Sequence, residues 1–149
     1  MNIKKSLYNQ CQEFVGKRFQ IIQNTINEIQ VSLRSETKSS AGDKHETGRA
    51  MLQLEREKAG RQLAEIQKTK ELLLKVNINK TSKTIGLGQV VYTSNANYFI
   101  AISAGALQVN DDLFYAVSSN TPIGQLLIGK HVGNTVTFRN ETFKIEQVL

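Results

Sequence analysis

The stretch Ser39–Glu46, SSAGDKHE, separates two long runs that favour helix, and it decides the fold. Serine, glycine and aspartate are turn-forming residues, whereas the only proline of the chain, Pro122, lies far from both runs. If the two runs fold back on each other, this turn lies at the end of a narrow helical hairpin. Asp43 and Glu46 would then project two carboxylates from that end, where a compact globule could not place them.

The first run has the apolar spacing of a coiled-coil seam. Its apolar residues follow one another at steps of four, three, four, three and four. They are Val15, Phe19, Ile22, Ile26, Ile29 and Leu33. Leu7 and Cys11 extend the stripe towards the N-terminus. Because Cys11 has no second cysteine to pair with, we interpret it as a packed residue of a reducing compartment rather than a reactive thiol.

The second run predicts a helix that begins around Asp43–Thr47 and ends near Lys75. Its apolar positions are Leu52, Ala59, Leu63, Ile66 and Leu73, while Arg56 and Lys70 occupy the remaining seam positions. Neither helix can bury its stripe alone. We therefore predict an antiparallel coiled-coil hairpin over residues 1–76, with an acidic tip near residues 42–46.

From Asn77 onward the pattern changes to a linker over residues 77–84 and then to short runs that favour strand. The predicted strands are Gln89–Thr93, Asn97–Ser103, Leu113–Val117, Thr135–Arg139 and Thr142–Val148, the last two joined by a tight hairpin. A short helix is predicted over Pro122–Ile128, with Thr121 as its N-cap and Gly129 as its stop. Residues 77–149 thus form a small β-rich domain with one short helix, and the fold class is α+β.

The net charge of +6 is concentrated in the helical half. Residues 1–76 contain 14 Lys and Arg against nine Asp and Glu, a balance of +5. A basic helical surface can face phosphate, an acidic protein channel or only solvent, and composition leaves these open. No signal peptide and no run of the roughly 18 apolar residues that span a bilayer is present, so we expect a cytoplasmic protein without a membrane partner.

Asp43 and Glu46 are the residues whose pattern points to chemistry. Three residues apart at a helix start, they lie on the same side of the first turn, where two carboxylates can share a divalent cation such as Mg²⁺. The same spacing fits a capping box, and the two interpretations are compatible. His45 and His131 lack the partners of a zinc site, and no nucleophile–base arrangement is present. We expect a protein that is not itself an enzyme and works at the active site of another.

Two segments resemble the Gre-type transcript-cleavage factors of bacterial RNA polymerase. The segment Gly42–Glu46, GDKHE, is similar to the Gly-Asp-x-x-Glu of the hairpin tip in that family. The segment Ser118–Gly133, SSNTPIGQLLIGKHVG, resembles its C-terminal signature of a Ser/Thr-Pro-Ile turn, an apolar helix and Leu-Ile-Gly-Lys. Together with the hairpin and the β-rich half, the resemblance covers nearly the whole chain.

The resemblance implies an FKBP-like C-terminal domain and bacterial RNA polymerase as the partner. The docking turn would comprise Asn120, Thr121, Pro122 and Ile123. The hairpin would enter the secondary channel of the polymerase, in indirect contact with the RNA and DNA of the elongation complex. Asp43 and Glu46 would help to position an Mg²⁺ ion shared with the polymerase, with none bound tightly to the free chain. Lys44 and Arg49 would lie near the RNA.

The chain also departs from the family pattern. Thr47–Ala50, TGRA, replaces the Asn-Ala-Glu-Tyr that follows the tip glutamate, and the first helix lacks an Arg-Pro element midway. A regulator or inhibitor that occupies the channel without stimulating cleavage is therefore the main alternative. A prolyl isomerase of the FKBP type and a helical adaptor without a polymerase partner are two others.

Overall fold

The computed structural model describes the backbone of residues 2–38 and 42–149 and the side chains of residues 2–35 and 46–149. Two long helices, α1 (Ile3–Lys38) and α2 (Gly42–Leu74), are followed by six strands and one short helix. In chain order these are β1 (Val90–Thr93), β2 (Asn97–Ile100), β3 (Gly105–Val109), β4 (Asp112–Val117), α3 (Pro122–Leu127), β5 (Thr135–Phe138) and β6 (Glu141–Val148). The predicted α+β fold, two long helices and then a β-rich part with one short helix, is confirmed.

One compact unit, Val15–Lys70, consists of the paired parts of α1 and α2. Its core is a single seam in which Ile26, Ile29 and Ala59 are buried. Ile22, Leu33, Leu52 and Leu63 are partly buried against them. Lys70, a basic residue at a predicted seam position, places its ammonium 5.6 Å from the centre of the Phe19 ring, a favourable cation–π distance. None of the described helices is long and apolar enough to cross a bilayer.

The other compact unit comprises Met1–Phe14 and Glu71–Leu149 and contains a six-stranded sheet. The strand order is β3-β4-β2-β1-β6-β5. All neighbours are antiparallel except β2 and β4, which run parallel with Tyr98 opposite Tyr115. A parallel pair needs a crossover, and β3 supplies it by pairing with the outer side of β4.

The core of the sheet unit lies on both faces of the sheet. On one face, α3 contributes Ile123 and Leu127 to a cluster of nine buried side chains that also includes Ile100 and Ile145. Because side chains alternate along a strand, Phe99 points to the other face, and it is fully buried there. Fully buried Leu7 and Cys11 place the start of α1 in this unit, and Gln10 Nε2 donates to the Gln108 carbonyl of β3 at 3.0 Å.

The sequence did not predict β3, and the run predicted as Asn97–Ser103 ends as a strand at Ile100. By contrast, the tight turn predicted between the last two strands is present. Its central residues Arg139 and Asn140 both have positive φ, 52° and 67°, as a type I′ hairpin requires. The short helix begins at Pro122 as predicted, and Gly129 follows it with φ of +81°.

Candidate functional site

The hairpin end is where the sequence places its candidate carboxylates. Helix α1 ends at Lys38 and α2 begins at Gly42, so Asp43 lies in the first turn of α2 rather than at an N-cap position. The Glu46 side chain is exposed one turn further along. The side chains of Asp43, Lys44 and His45 lie outside the described part of the chain.

Arg49, the second basic residue near the tip, has a structural contact. Its side chain is half-buried, and Nη1 donates to the main-chain carbonyl of Leu33 at 3.2 Å. The Leu33 carbonyl lies before the last four carbonyls of α1, but a carbonyl oxygen has two lone pairs and can accept from Arg49 in addition to a bond within its own helix. Arg49 therefore links the second turn of α2 to the last turns of α1. The predicted proximity of Arg49 and Lys44 to RNA stays a prediction.

Magnesium fits the chemistry of the tip residues only as a shared ion. Carboxylate oxygens are the ligands that Mg²⁺ prefers, but the ion takes six ligands in octahedral geometry, and two carboxylates leave most positions to others. Among the described residues, no three His, Cys, Asp or Glu side chains come together as a metal-binding group. Water can fill several of these positions, so only tight binding of the ion would need ligands from a second molecule.

The predicted docking turn forms the N-terminus of α3. Thr121 is the N-cap, with Oγ1 accepting from the Gly124 amide at 3.1 Å and donating to the Ser118 carbonyl at 2.7 Å. Pro122 occupies the first turn, where its missing N–H costs no hydrogen bond. Asn120 is exposed, its side chain accepts from the Ser118 hydroxyl, and its carbonyl accepts from Gln125 Nε2 at 3.3 Å.

The four residues of this turn divide between surface and core. Asn120 and Pro122 are exposed, and Thr121 is half-buried. Ile123 is 8% exposed and belongs to the core cluster of the sheet unit. Asn120 and Pro122 are thus exposed to solvent, while Ile123 anchors the turn in the core.

Gly124 is a residue whose role sequence reasoning missed. A Cβ at this position would lie 2.2 Å from the Ser118 carbonyl oxygen, closer than any side chain can come. Because glycine has no Cβ, the Ser118 carbonyl can lie against residue 124, and residues 118–121 can fold closely over the N-terminus of α3. The Pro-Ile-Gly order is the only sequence signal for it, because the contact depends on the path of residues 118–121.

Lys4 is a second residue that the sequence did not single out. It is 7% exposed, and its Nζ donates to the Lys80 carbonyl at 2.9 Å. Gln89 Nε2 donates to the same carbonyl at 3.2 Å, so the linker is held from two sides. Burial lowers the pKa of Lys4 from its ordinary value. A signal was present, since Lys4 lies three residues before Leu7 and seven before Cys11, on the same helical stripe.

Cys11 has the environment expected of a packed residue. Its side chain is fully buried, and burial raises the pKa of the thiol to about 12. The thiolate is the nucleophilic form, so this thiol is unreactive at neutral pH.

No protein-family profile and no curated protein sequence matches the chain. Several solved structures are similar to it, among them two of Gfh1. One is the crystal structure of GreA factor homolog 1 (Gfh1) protein of Thermus thermophilus, with 17% identity, a TM-score of 0.38, and coverage of 92% of this chain and 93% of that one. The other is the structure of the transcription factor Gfh1, with 16% identity, a TM-score of 0.35, and coverage of 97% and 94%. At these identities and TM-scores they assign neither an activity nor a partner to this chain.

Proposed function

We propose that this chain is an accessory factor of bacterial RNA polymerase, acting in the cytoplasm. Its hairpin enters the secondary channel of the polymerase, and Asp43 and Glu46 at the hairpin end stimulate cleavage of backtracked transcripts by the polymerase itself. The observation that carries this proposal is the exposed Glu46, in a Gly-Asp-x-x-Glu segment, at the end of a two-helix rod. At 1.5 Å per residue the part of α1 in the hairpin unit, Val15–Lys38, is about 36 Å long, so the tip acids lie far from the other end of that unit.

The tip residues suit a supporting role in phosphoryl transfer. Magnesium, when present at the polymerase, neutralises charge on the reacting phosphate and activates water. Because Glu46 is exposed, its carboxylate is accessible to such a site, and the cation there would offset the cost of removing the carboxylate from water. Two acids alone hold too few positions to bind the ion tightly, so the chain is proposed to have no cofactor of its own.

The test is a transcript-cleavage assay on a backtracked elongation complex made with polymerase from the same organism. We expect the intact chain to accelerate shortening of the RNA 3′ end. Asp43→Asn with Glu46→Gln should abolish that acceleration and leave polymerase binding intact, since the charges change but the hairpin does not. Glu57→Gln, an exposed acid further along α2, is the matched control and should remain active. Full activity in the double variant would rule out a role for the tip acids.

A second candidate function is a channel-occupying regulator that does not stimulate cleavage. Arg49 favours it, because it places a cation three residues after Glu46, where the resembled family has an acid, and Ala50 stands where that family has a tyrosine. The same assay separates the two functions. Binding with unchanged or slower cleavage would select the regulator, and Arg49→Glu would then be expected to restore part of the stimulation.

The docking surface is proposed to be the turn of Asn120, Thr121, Pro122 and Ile123. Pro122 is exposed at the helix start, so Pro122→Ala should weaken polymerase binding while the melting temperature changes little. Leu126→Ala, at a position of the same helix that is 38% exposed, is the neighbouring control for a general effect of altering α3. Unchanged affinity of the Pro122 variant would argue against this turn as the contact.

A further inference from the structure

A groove of about 480 Å³ runs along one side of the hairpin unit, between α1 and α2. Ile21 and Ile22 of α1 and Ile66 of α2 form its apolar part, and Ile21 is 63% exposed. Together Ile21, Ile22 and Ile66 give the groove an apolar floor that another apolar surface can cover.

The wall that α2 contributes continues as a second heptad stripe next to the seam. Lys58, Arg61 and Glu65 line the groove, and Met51 and Leu54 precede them at the same steps of three and four. Met51 is 60% and Leu54 65% exposed, whereas the seam residue Ala59 is buried. Met51 and Leu54 extend the apolar surface of the groove along α2, and Lys58, Arg61 and Glu65 form its charged side, so a helix that packs there needs an apolar stripe flanked by charges.

The charges along the groove define the chemistry of the missing helix. Arg18, Lys58 and Arg61 line the groove against one acid, Glu65, whose carboxylate already lies 3.6 Å from Lys68. The rim is therefore basic around an apolar floor. Such a rim complements carboxylates that flank an apolar stripe.

We propose that this groove binds an amphipathic helix of another protein that presents an apolar stripe flanked by acidic residues. A second copy of the chain fits less well, because two copies meeting groove to groove would bring Arg18, Lys58 and Arg61 against like charges. Single-stranded nucleic acid also fits less well. None of the residues that line the groove is aromatic, and stacking on aromatic side chains is what holds bases in such sites.

The groove lies along the shaft of the hairpin and does not include Asp43 or Glu46. Variants of the tip acids leave it unchanged, and variants of the groove leave the tip acids unchanged. Failure of one proposal therefore does not decide the other.

The test is fluorescence anisotropy of the full chain with a labelled helical peptide that carries leucine at the a and d positions and glutamate at e and g. We expect saturable binding that weakens with salt. Arg61→Glu should weaken it at least about tenfold, the equivalent of one charge-assisted contact. Ile21→Ser, which leaves the charges intact, should weaken it as well.

Two controls have the same chemistry outside the groove. Arg34→Glu reverses an exposed arginine of α1, and Leu74→Ser removes the side chain of a leucine that is 68% exposed and does not line the groove. Both should bind the peptide as the unaltered chain does. The proposal is overturned if either control matches its groove counterpart, if a peptide with lysine in place of glutamate binds equally well, or if no saturable binding is seen.

Two further measurements identify a different occupant. Sedimentation of the chain alone would show a dimer that Ile21→Ser dissociates if a second copy fills the groove. An RNA oligonucleotide that displaces the peptide and loses affinity in Arg61→Glu would make the groove a phosphate site. Either result overturns the proposal, and a monomer with no displacement by RNA supports it.

Discussion

The hairpin unit and the sheet unit of this chain differ in the depth of their cores. In the hairpin unit, Ile26, Ile29 and Ala59 form one buried seam with partly buried residues around it. In the sheet unit, nine buried side chains cluster on one face alone, and Phe99 and Phe114 are fully buried on the other. Two paired helices share one line of contact, whereas a sheet can bury both faces. The hairpin unit therefore buries few side chains along its length, whereas the sheet unit contains most of the buried apolar side chains.

The largest expected effect is in the sheet unit. Phe114 is fully buried on β4, so Phe114→Ala should lower the free energy of unfolding by about 3–5 kcal/mol through lost burial and the cavity left behind. Urea unfolding followed by circular dichroism measures it. Tyr115→Ala is the control on the same strand, because Tyr115 is 39% exposed and should cost much less. Equal losses from the two variants would contradict a deep core in this unit.

The hairpin seam should be less sensitive. Ile26 is buried, but the seam around it is narrow and can close over a truncated side chain, so Ile26→Ala should cost about 2–3 kcal/mol, the low end for this substitution. Hydrogen exchange should show the loss of protection within Val15–Lys70. Val31→Ala, at an exposed position of the same helix, should stay within about 0.5 kcal/mol. A loss at Ile26 as large as that at Phe114 would remove the distinction between the two cores.

The helices could be predicted from the sequence because their signal is periodic over many residues. Val15, Ile22 and Ile29 repeat at steps of seven, and such a repeat has few structural alternatives. β3 could not be predicted, since Gly105, Ala106 and Gln108 have little preference for strand. That strand exists because it pairs with β4, with Gly105 opposite Ala116, a contact that no local pattern records.

Some features of the candidate site could likewise be predicted from local sequence, and others could not. The place of Glu46 at the start of α2 follows from turn and helix signals within a few residues. The contact of Arg49 with the Leu33 carbonyl joins two helices, and the burial of Ile123 depends on which side of α3 faces the sheet. Both are tertiary facts. Features that depend on residues nearby in sequence could therefore be predicted, whereas contacts between different helices and strands could not.

The smallest expected effect is a gain in the hairpin unit. Gly16 is an exposed position in the interior of α1, and a Cβ there would meet no atom within 4 Å. Gly16→Ala should therefore stabilise the chain by about 0.5–1 kcal/mol, because alanine restricts the unfolded chain and favours helix. Thermal unfolding monitored by circular dichroism measures the gain.

Gly60 provides the comparison that shows how closely α2 is packed. A Cβ at Gly60 would lie 3.0 Å from Arg56 Nη1, the far end of a flexible side chain, so that side chain has to move. The helix-propensity gain of Gly60→Ala should then be partly offset, and the variant should be less stabilised than Gly16→Ala. If Gly60→Ala gains as much, Arg56 moves at no cost and contributes nothing to the seam. If Gly60→Ala destabilises, Arg56 is held in place, and the seam of the hairpin is tighter than its few buried side chains indicate.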